Sequence, residues 1–320
     1  MNLSGHVWTV GALVGRAVVP ATPPLSERWA TEVADPDMGT VRLSGRLTRP
    51  RAAREVAVLV HGLGGSSDSG YMVRAASAAS ELGLASLRLS LRGADGEDGD
   101  FYHGGLTADL HAAVGELALD GFDRIVVLGF SLGGHIVLRF ASETESPEVR
   151  AVAAVCSPLD LGAGADALDR PLMAPYRRYV LGGLRANYER TARFRRAPIP
   201  SAKLHAIRTI RQWDSLTVVP RFGFRDPDDY YARASVGPRL VHLRRPALLV
   251  AAEHDPVIPP VAVRPTLDRL DPHSDGAGRL TVRWLRSGGH VGFPRGLDLG
   301  YGERRGYLAQ CLQWLLGVGP

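Results

Sequence analysis

The sequence predicts an α/β fold in which a mostly parallel central sheet is covered by helices on both faces and carries a helical insertion. Continuous apolar runs such as 56–60 and 246–252 are typical of strands buried on both sides of a sheet. These runs alternate with segments of helical periodicity, an order that indicates parallel strands joined by helical crossovers. The third observation is that residues 157–240 lack this alternation of strands and helices.

Length and composition favour one domain over two equal ones. A chain of 320 residues, 45% of them hydrophobic, can bury one large core. We assign residues 1–156 and 241–320 to this core, and residues 157–240 to a helical cap inserted into it.

The first half of the chain is predicted to begin with antiparallel edge strands within residues 1–50, because apolar and polar residues alternate at 40–47. The buried strand at 56–60 follows. The elements predicted after it are an alanine-rich helix at 71–82, a strand at 85–89, a glycine-rich acidic loop at 93–105 and a helix at 106–119.

The second half repeats the strand–helix order on both sides of the cap. Apolar runs predict strands at 149–156 and 279–285, in addition to the one at 246–252. Helical patterns predict helices at 261–270 and 303–316.

The net charge of +5 does not indicate a nucleic-acid partner. The basic residues are spread along the chain and nearly all are arginine, with Lys203 the only lysine. Arginines do concentrate between residues 177 and 196. We favour the interpretation that they form the solvated face of a helix, and peripheral contact with acidic lipid head groups is the alternative. The oligomeric state is not predicted.

Two cysteines and the N-terminal residues bear on the cellular compartment. Cys156 and Cys311 lie in apolar runs without metal-type spacing, so we expect buried thiols, no disulfide and a cytoplasmic location. The apolar stretch at 7–19 is interrupted by Arg16 and is too short to span a membrane. No basic residue precedes it, which disfavours a secretory signal.

A glycine-flanked serine separates a strand-like run from a helical run, in the order Gly129-Phe130-Ser131-Leu132-Gly133. This context predicts a nucleophile elbow, a tight turn that strains the backbone of Ser131 and exposes its hydroxyl. The amide of Leu132, at the helix N terminus, would stabilise an oxyanion beside the serine. We expect the amide of Leu63, in the glycine-rich turn after the strand at 56–60, to be the second donor.

A serine nucleophile needs a base, and the base needs an acid that fixes its tautomer. In this architecture the chain order is serine, acid, histidine. Asp255 follows one predicted strand and His290 lies in a glycine-rich loop after the next, so both belong at the carboxyl edge of the sheet. Asp160 is the competing acid and Glu253 a weaker one.

The remaining histidines and glycines do not indicate a metal or an organic cofactor. His103, His111 and His135 have no cysteine or carboxylate cluster at ligand spacing beside them. The glycines at 62–65 lack the full dinucleotide fingerprint, and no P-loop lysine is present. For His61 we favour a structural role that fixes its loop by hydrogen bonding.

Taken together, these residues resemble the YheT-like branch of the α/β-hydrolase superfamily, the bacterial relatives of eukaryotic abhydrolase-domain esterases and phospholipases. The resemblance covers nearly the whole chain. The segments that carry it are Gly5-His6-Val7-Trp8-Thr9, His61-Gly62-Leu63-Gly64-Gly65, Arg92-Gly93, Tyr102-His103-Gly104-Gly105 with Thr107 and Asp109, Gly129-Phe130-Ser131-Leu132-Gly133-Gly134, Arg211-Gln212-Trp213-Asp214, Asp229-Tyr230-Tyr231 with Ser235, Glu253-His254-Asp255-Pro256 and Gly288-Gly289-His290-Val291-Gly292-Phe293.

The resemblance implies a carboxylesterase-type serine hydrolase whose triad is Ser131, Asp255 and His290, acting through an acyl-enzyme on carboxylic esters. The expected partner is a small-molecule ester; a lipid-like ester is one option, and the resemblance does not name the natural one. The chain departs from the usual pattern outside the triad, so the departures bear on pocket shape; they are Trp213, Ser215 and Gly104. An acyltransferase or thioesterase with the same triad, and a non-catalytic binding protein on the same fold, remain as alternatives.

Two groups of residues are candidates for the substrate pocket. The first comprises His61, Tyr102, His103, Tyr230 and Tyr231, for which packing roles are equally compatible with the sequence. The second is a set of apolar cap residues, Leu181, Leu184, Tyr188, Phe194 and Ile199, for which a helix-to-core face is the alternative to an acyl pocket.

Overall fold

The computed structural model of the protein describes residues 3–18, 22–51, 53–96, 100–191 and 198–318; in the first helix, side chains are described for residues 4–11. Its centre is an eight-stranded sheet. The strands are β1 (Glu27–Asp35), β2 (Gly39–Thr48), β3 (Glu55–Val60), β4 (Ala85–Ser90), β5 (Arg124–Phe130), β6 (Val149–Val155), β7 (Ala247–Ala252) and β8 (Leu280–Leu285).

The strands run in the order β1-β2-β4-β3-β5-β6-β7-β8 across the sheet. β2 pairs antiparallel with both β1 and β4, whereas the pairings from β4 through β3 to β8 are all parallel. The predicted α/β fold class is therefore confirmed; within residues 1–50, β1 is an edge strand and β2 lies inside the sheet between β1 and β4. Because the parallel strands end at the same edge, the loops that follow β3, β5, β6, β7 and β8 meet there.

The central strands show why continuous apolar runs form them. In β3, Val56, Val58 and Val60 pack into one core cluster, while Ala57 and Leu59 pack into a second cluster. Successive side chains of a strand point to opposite faces, so a strand covered on both faces is apolar at every position.

Twelve α-helices and four short 3₁₀ helices occur in the described residues. The α-helices are α1 (Leu3–Val18), α2 (Gly70–Glu81), α3 (Ala108–Leu119), α4 (Leu132–Glu143), α5 (Leu161–Asp169), α6 (Ala174–Thr191), α7 (Ser201–Leu204), α8 (Ile210–Leu216), α9 (Val218–Phe222), α10 (Pro227–Ala234), α11 (Arg264–Asp268) and α12 (Tyr307–Gly317). The 3₁₀ helices are Pro171–Met173, Gly237–His242, Pro260–Ala262 and Ala277–Arg279.

The helices cover both faces of the sheet. Met72 of α2 and Leu312 of α12 share the core cluster that contains Leu59 of β3. Leu110 of α3 and Ile136 of α4 belong to the other cluster, which also includes residues of α5–α10. In the described residues, six α-helices and two 3₁₀ helices thus lie between β6 and β7, in the section where the sequence lacks the strand–helix order.

Two helices differ from the sequence-based expectation. The helix α1 was not predicted, although its first residues belong to the segment 5–9. The helix predicted at 261–270 is instead a 3₁₀ turn followed by the five-residue α11, because Pro260 and Pro265 restrict the backbone there and cannot donate helical hydrogen bonds. Among the described helices, none combines the length and the apolar character needed to cross a membrane.

Candidate active site

Ser131 sits in the turn between β5 and α4 in a backbone conformation that non-glycine residues rarely adopt, with φ 53° and ψ −123°. The flanking glycines make this turn possible. A Cβ on Gly129 would lie 2.5 Å from the carbonyl oxygen of Gly133, and one on Gly133 would lie 2.3 Å from that of His61. The sequence therefore folds into the tight strand-to-helix turn that the glycine spacing predicted.

Asp255 and His290 are in direct contact. His290 Nδ1 lies 2.9 Å from Asp255 Oδ2. The other carboxylate oxygen, Oδ1, accepts the N–H groups of Val257 at 2.8 Å and Ile258 at 2.9 Å. With its carboxylate held in this way and only 3% of the residue exposed, Asp255 accepts the Nδ1–H and leaves His290 Nε2 as an acceptor.

The two competing acids are engaged elsewhere. Asp160 caps α5 by accepting the N–H of Ala163 at 2.9 Å. Glu253 forms an ion pair with Arg264, with 3.4 Å between Oε1 and Nη2. Asp255 is the acid that the structure brings to His290.

Ser131 and His290 line one cavity of about 270 Å³. Leu63 and Leu132, the two residues predicted to supply oxyanion donors, line the same cavity. Much of its wall is apolar; the side chains concerned include Leu161, Leu168, Ile210, Val257 and Ile258.

Two backbone features bear on the predicted oxyanion donors. Leu132 is the first residue of α4, so its N–H has no acceptor within the helix and lies at the positive end of the helix dipole. In the turn after β3, Gly62 and Gly64 donate their N–H groups to the hydroxyls of Tyr71 and Tyr102 at 2.9 and 2.8 Å. These bonds fix the turn on both sides of Leu63.

His61 is fully buried and holds this turn from behind. The N–H of Leu91 donates to Nε2 at 3.2 Å, so the proton is on Nδ1, which donates to the Gly62 carbonyl at 2.8 Å. Burial lowers the pKa of His61 to about 4, which keeps the ring neutral. The structural role favoured for His61 agrees with these contacts, and His61 is not among the residues that line the cavity.

Tyr102 and His103 also bond to backbone groups. The Tyr102 hydroxyl is used by the turn, and His103 Nδ1 accepts the N–H of Gly105 at 3.1 Å. Burial, with Arg139 adding to it, lowers the pKa of His103 to about 3. Neither residue lines the cavity with Ser131. The Tyr102 hydroxyl and His103 Nδ1 thus both accept backbone N–H groups.

Tyr230 and Tyr231 do line the cavity. Tyr230 accepts the N–H of Gly104 at 2.9 Å, and Tyr231 donates to Asp214 Oδ2 at 2.6 Å. Asp214 lines the cavity as well, and burial raises its pKa to about 7. Sequence analysis noted Asp214 within a signature but did not place it in the pocket.

The apolar cap candidates lie mainly in the core. Leu181, Leu184 and Tyr188 are buried in the larger core cluster, with Ile199 packed against it. Phe194 lies outside the described residues. The residues of α6 that reach the cavity are instead Tyr176, Tyr179 and Val180.

Cys156 lies beside the acid and the histidine. Its Sγ, an oxygen of Asp255 and a ring nitrogen of His290 lie within 4.8 Å of one another, the one such group of metal-capable atoms in the described parts of the chain. Burial, reinforced by the charge of Asp255, raises the pKa of the thiol. The thiolate that would bind a metal is therefore disfavoured.

Thr9 is a further residue of the site that sequence analysis did not assign. It lines the cavity, and its hydroxyl accepts the backbone N–H of His290 at 2.8 Å. The signal in the sequence was the segment 5–9, which carried the family resemblance without an assigned role.

Comparison with known proteins agrees with this geometry. Residues 56–293 match the family model described as the alpha/beta hydrolase fold. The chain is 31% identical over 246 residues to the putative esterase YheT of Escherichia coli, covering 75% of this chain and 70% of the relative.

Two more distant relatives are named as a lipase and a phospholipase. The monoacylglycerol lipase of Saccharomyces cerevisiae is 29% identical over 168 residues, covering 49% of this chain and 37% of the lipase. The phospholipase ABHD3 of Mus musculus is 26% identical, covering 77% of this chain and 60% of the relative.

A solved structure of similar fold is the esterase Pf2001 of Pyrococcus furiosus, with a TM-score of 0.55 and 17% identity over 85% of this chain and 90% of the esterase. The esterase RhEst1 of a Rhodococcus species has a TM-score of 0.51 and 16% identity, covering 91% of this chain and 99% of the esterase. At these identities the likeness is one of fold.

Proposed function

The chain belongs to the YheT-like branch of the α/β-hydrolase fold family, and on that premise we propose that it is a carboxylesterase-type serine hydrolase. The observation that carries the proposal is the 2.9 Å contact between His290 Nδ1 and Asp255 Oδ2, made at the cavity that Ser131 also lines. An acid-oriented histidine and a serine on a strained turn are the parts that nucleophilic catalysis requires.

In the proposed acylation step, the Ser131 oxygen attacks the ester carbonyl while His290 Nε2 takes the hydroxyl proton. The amides of Leu63 and Leu132 hold the oxyanion. When the tetrahedral intermediate collapses, the bond to the alcohol breaks, and His290 returns its proton to the leaving oxygen. Asp255 remains ionised and stabilises the imidazolium in between.

In the proposed deacylation step, water attacks the acyl-enzyme and gives one proton to His290 Nε2. The second tetrahedral intermediate releases the carboxylic acid, and the proton returns to Ser131. These steps use side chains and amides of the chain itself.

The cavity wall supports an ester with an apolar acyl group. Leu168, Ile210, Val257 and Ile258 surround the space next to Ser131, and a volume of about 270 Å³ suits a small ligand. Relatives named as a monoacylglycerol lipase and a phospholipase favour a lipid-like ester.

We also propose that residues 157–240 act as a cap over this cavity. Leu161 of α5, Tyr176 of α6, Ile210 of α8 and Tyr230 of α10 contribute to the wall of the cavity that Ser131 lines. This segment would therefore select the acyl group, while the core supplies the reacting groups.

Hydrolysis of p-nitrophenyl esters, from acetate to long acyl chains, tests the proposal. Wild-type protein should release p-nitrophenol, whereas Ser131→Ala should not; Ser274→Ala, at a serine that bonds its own turn, is the matched control. The dependence on chain length reports the size of the acyl pocket. Binding of esters without turnover by wild-type protein would favour the non-catalytic alternative.

A further inference from the structure

The side chain of Thr9 connects helix α1 to the loop that carries His290. The Thr9 hydroxyl donates to the carbonyl of Gly5 at 2.8 Å, within its own helix, and accepts the N–H of His290 at 2.8 Å. Thr9 is buried, with 2% exposed. Because its donated bond orients the hydroxyl, a lone pair is presented to the His290 amide in a fixed direction.

Two glycines allow α1 to approach the segments of both the acid and the base. A Cβ on Gly5 would lie 1.7 Å from the carbonyl oxygen of His254, the residue before Asp255. A Cβ on Gly289, the residue before His290, would lie 2.1 Å from the carbonyl oxygen of Gly5. Helix α1 therefore lies against the backbone next to Asp255 and next to His290, the two residues joined by the Nδ1–Oδ2 hydrogen bond.

The loop around His290 needs such support. Gly288 and Val291 both have positive φ, 139° and 55°, and for a β-branched valine this conformation is strained. The N–H of Val291 donates to Cys156 Sγ at 3.4 Å, and that of His290 to Thr9. Two consecutive amides of the loop are thus held by side chains from other parts of the fold.

The helix α1 also contacts the wall of the cavity, through His6, one turn before Thr9. His6 Nδ1 lies 2.8 Å from the hydroxyl of Tyr176 in α6, and the two rings stack with centroids 5.7 Å apart. The helix α1 therefore joins α6 to the His290 loop.

From these contacts we propose that Thr9 is a positioning residue: its hydroxyl fixes the backbone of His290 so that the imidazole meets Asp255. This inference rests on the proposed serine-hydrolase function. Thr9 touches the histidine through its main chain and takes no proton in the reaction. Its role is to hold the base within hydrogen-bonding reach of its partners, where small displacements are costly.

A pair of variants separates the hydroxyl from the shape of Thr9. Thr9→Val keeps the shape and removes the acceptor, whereas Thr9→Ser keeps the acceptor. We expect Thr9→Val to lower kcat for ester hydrolysis by about 10- to 100-fold with little change in KM, since a misplaced base affects the chemical step. Thr9→Ser should restore most of the wild-type kcat, and equal kcat values for the two variants would overturn the proposal.

A second readout does not depend on turnover. In ¹H NMR spectra, the Nδ1–H proton between His290 and Asp255 should give a downfield signal, identified by its loss in Asp255→Asn. The signal should persist in Thr9→Ser and weaken or disappear in Thr9→Val; an unchanged signal in Thr9→Val would contradict the proposal. If Thr9→Val does not fold, Thr9→Ala replaces it in both measurements with the same expectations.

The two measurements keep this inference distinct from the proposed function. Wild-type protein that neither hydrolyses esters nor reacts with a fluorophosphonate would refute the hydrolase, whatever the Thr9 variants do. An active wild type together with an equally active, folded Thr9→Val would refute the positioning role alone.

Discussion

Asp255 uses its two carboxylate oxygens for different partners. Oδ1 is held by two successive backbone amides, and Oδ2 receives Nδ1–H of His290. The amides fix the carboxylate, and the carboxylate then fixes the histidine tautomer. Asp255, three residues beyond β7, is therefore better placed to orient His290 than Glu253 is. Glu253 is nearer to β7 but pairs with Arg264.

Replacing Asp255 with asparagine tests the role of this tautomer. The asparagine amide would donate to Nδ1 and leave the proton on Nε2, so His290 could no longer accept the serine proton. We expect kcat to fall by about 10⁴-fold in Asp255→Asn, measured with a p-nitrophenyl ester. Glu253→Gln is the control and should retain wild-type kcat; Asp255→Asn with near wild-type activity would contradict the assignment.

Asp214 should make stability depend on pH. Burial raises its pKa from 3.8 to about 7, so between these values the folded state keeps a proton that the unfolded state releases. The unfolding free energy contributed by this group therefore falls as pH rises from about 4 to 7, by at most about 1.4 kcal/mol per pH unit. In urea denaturation, Asp214→Asn should gain stability relative to wild type over this range; a constant difference would contradict the shifted pKa.

Among the elements, β5 and α4 meet at a turn that depends on Gly133. A Cβ there would lie 2.3 Å from the carbonyl oxygen of His61 and 2.5 Å from that of Val60. These two residues are at the end of β3, and their backbone cannot move away because β3 lies in the centre of the sheet. The close packing of β3 against α4 is thus a condition for the conformation of Ser131.

Two glycine-to-alanine substitutions give a matched test of this contact. Gly133→Ala should reduce the unfolding free energy by about 3 kcal/mol or more, because the methyl group overlaps backbone atoms. In Gly115→Ala, within α3, the Cβ meets no described atom within 4 Å, so the variant should gain about 0.5–1 kcal/mol from reduced chain entropy. Urea denaturation checks both, and equal stabilities would contradict the packing argument.

The strands and the elbow could be predicted because their signals are local. Continuous apolar runs identify β3 and β7, and the glycine spacing identifies the turn at Ser131. The helix α1 was not predicted, because contacts with segments distant in the sequence fix its position, such as that of Thr9 with His290, 281 residues away. No pattern within residues 3–18 reports those contacts.

The pocket was less predictable than the reacting groups. His61, Tyr102 and His103 are pocket candidates from the sequence, but both ring nitrogens of His61, the hydroxyl of Tyr102 and Nδ1 of His103 bond to backbone groups. Which side chain faces a cavity depends on how separate elements pack, and sequence spacing carries little information about that. The acid–histidine contact was predictable because chain order and strand ends confine both residues to one edge.

At the scale of the whole molecule, buried charges join distant parts of the fold. Arg92, after β4, is fully buried and contacts the carboxylates of Asp35 at 2.6 Å, Asp100 at 2.8 Å and Asp109 at 2.6 Å. Arg221 of α9 also pairs with Asp100 at 2.8 Å. The cluster links β1, the loop before α3, α3 itself and the segment between β6 and β7.

Removing the central cation should therefore destabilise the entire domain. Arg92→Met leaves buried carboxylates without their shared partner, and we expect a loss of about 3–5 kcal/mol in unfolding free energy. Arg54→Met, which breaks an exposed pair with Asp123, should leave stability almost unchanged, because solvent screens an exposed ion pair. Chemical denaturation measures both; similar small losses would show that the buried cluster does not hold the fold together.

The most direct measurement of the central claim is the position of a covalent adduct. Wild-type protein is treated with a fluorophosphonate, digested and mapped by mass spectrometry. We expect one modified residue, Ser131, and slower modification in Asp255→Asn. An adduct on another serine, or ester hydrolysis by wild type with Ser131 left unmodified, would contradict it.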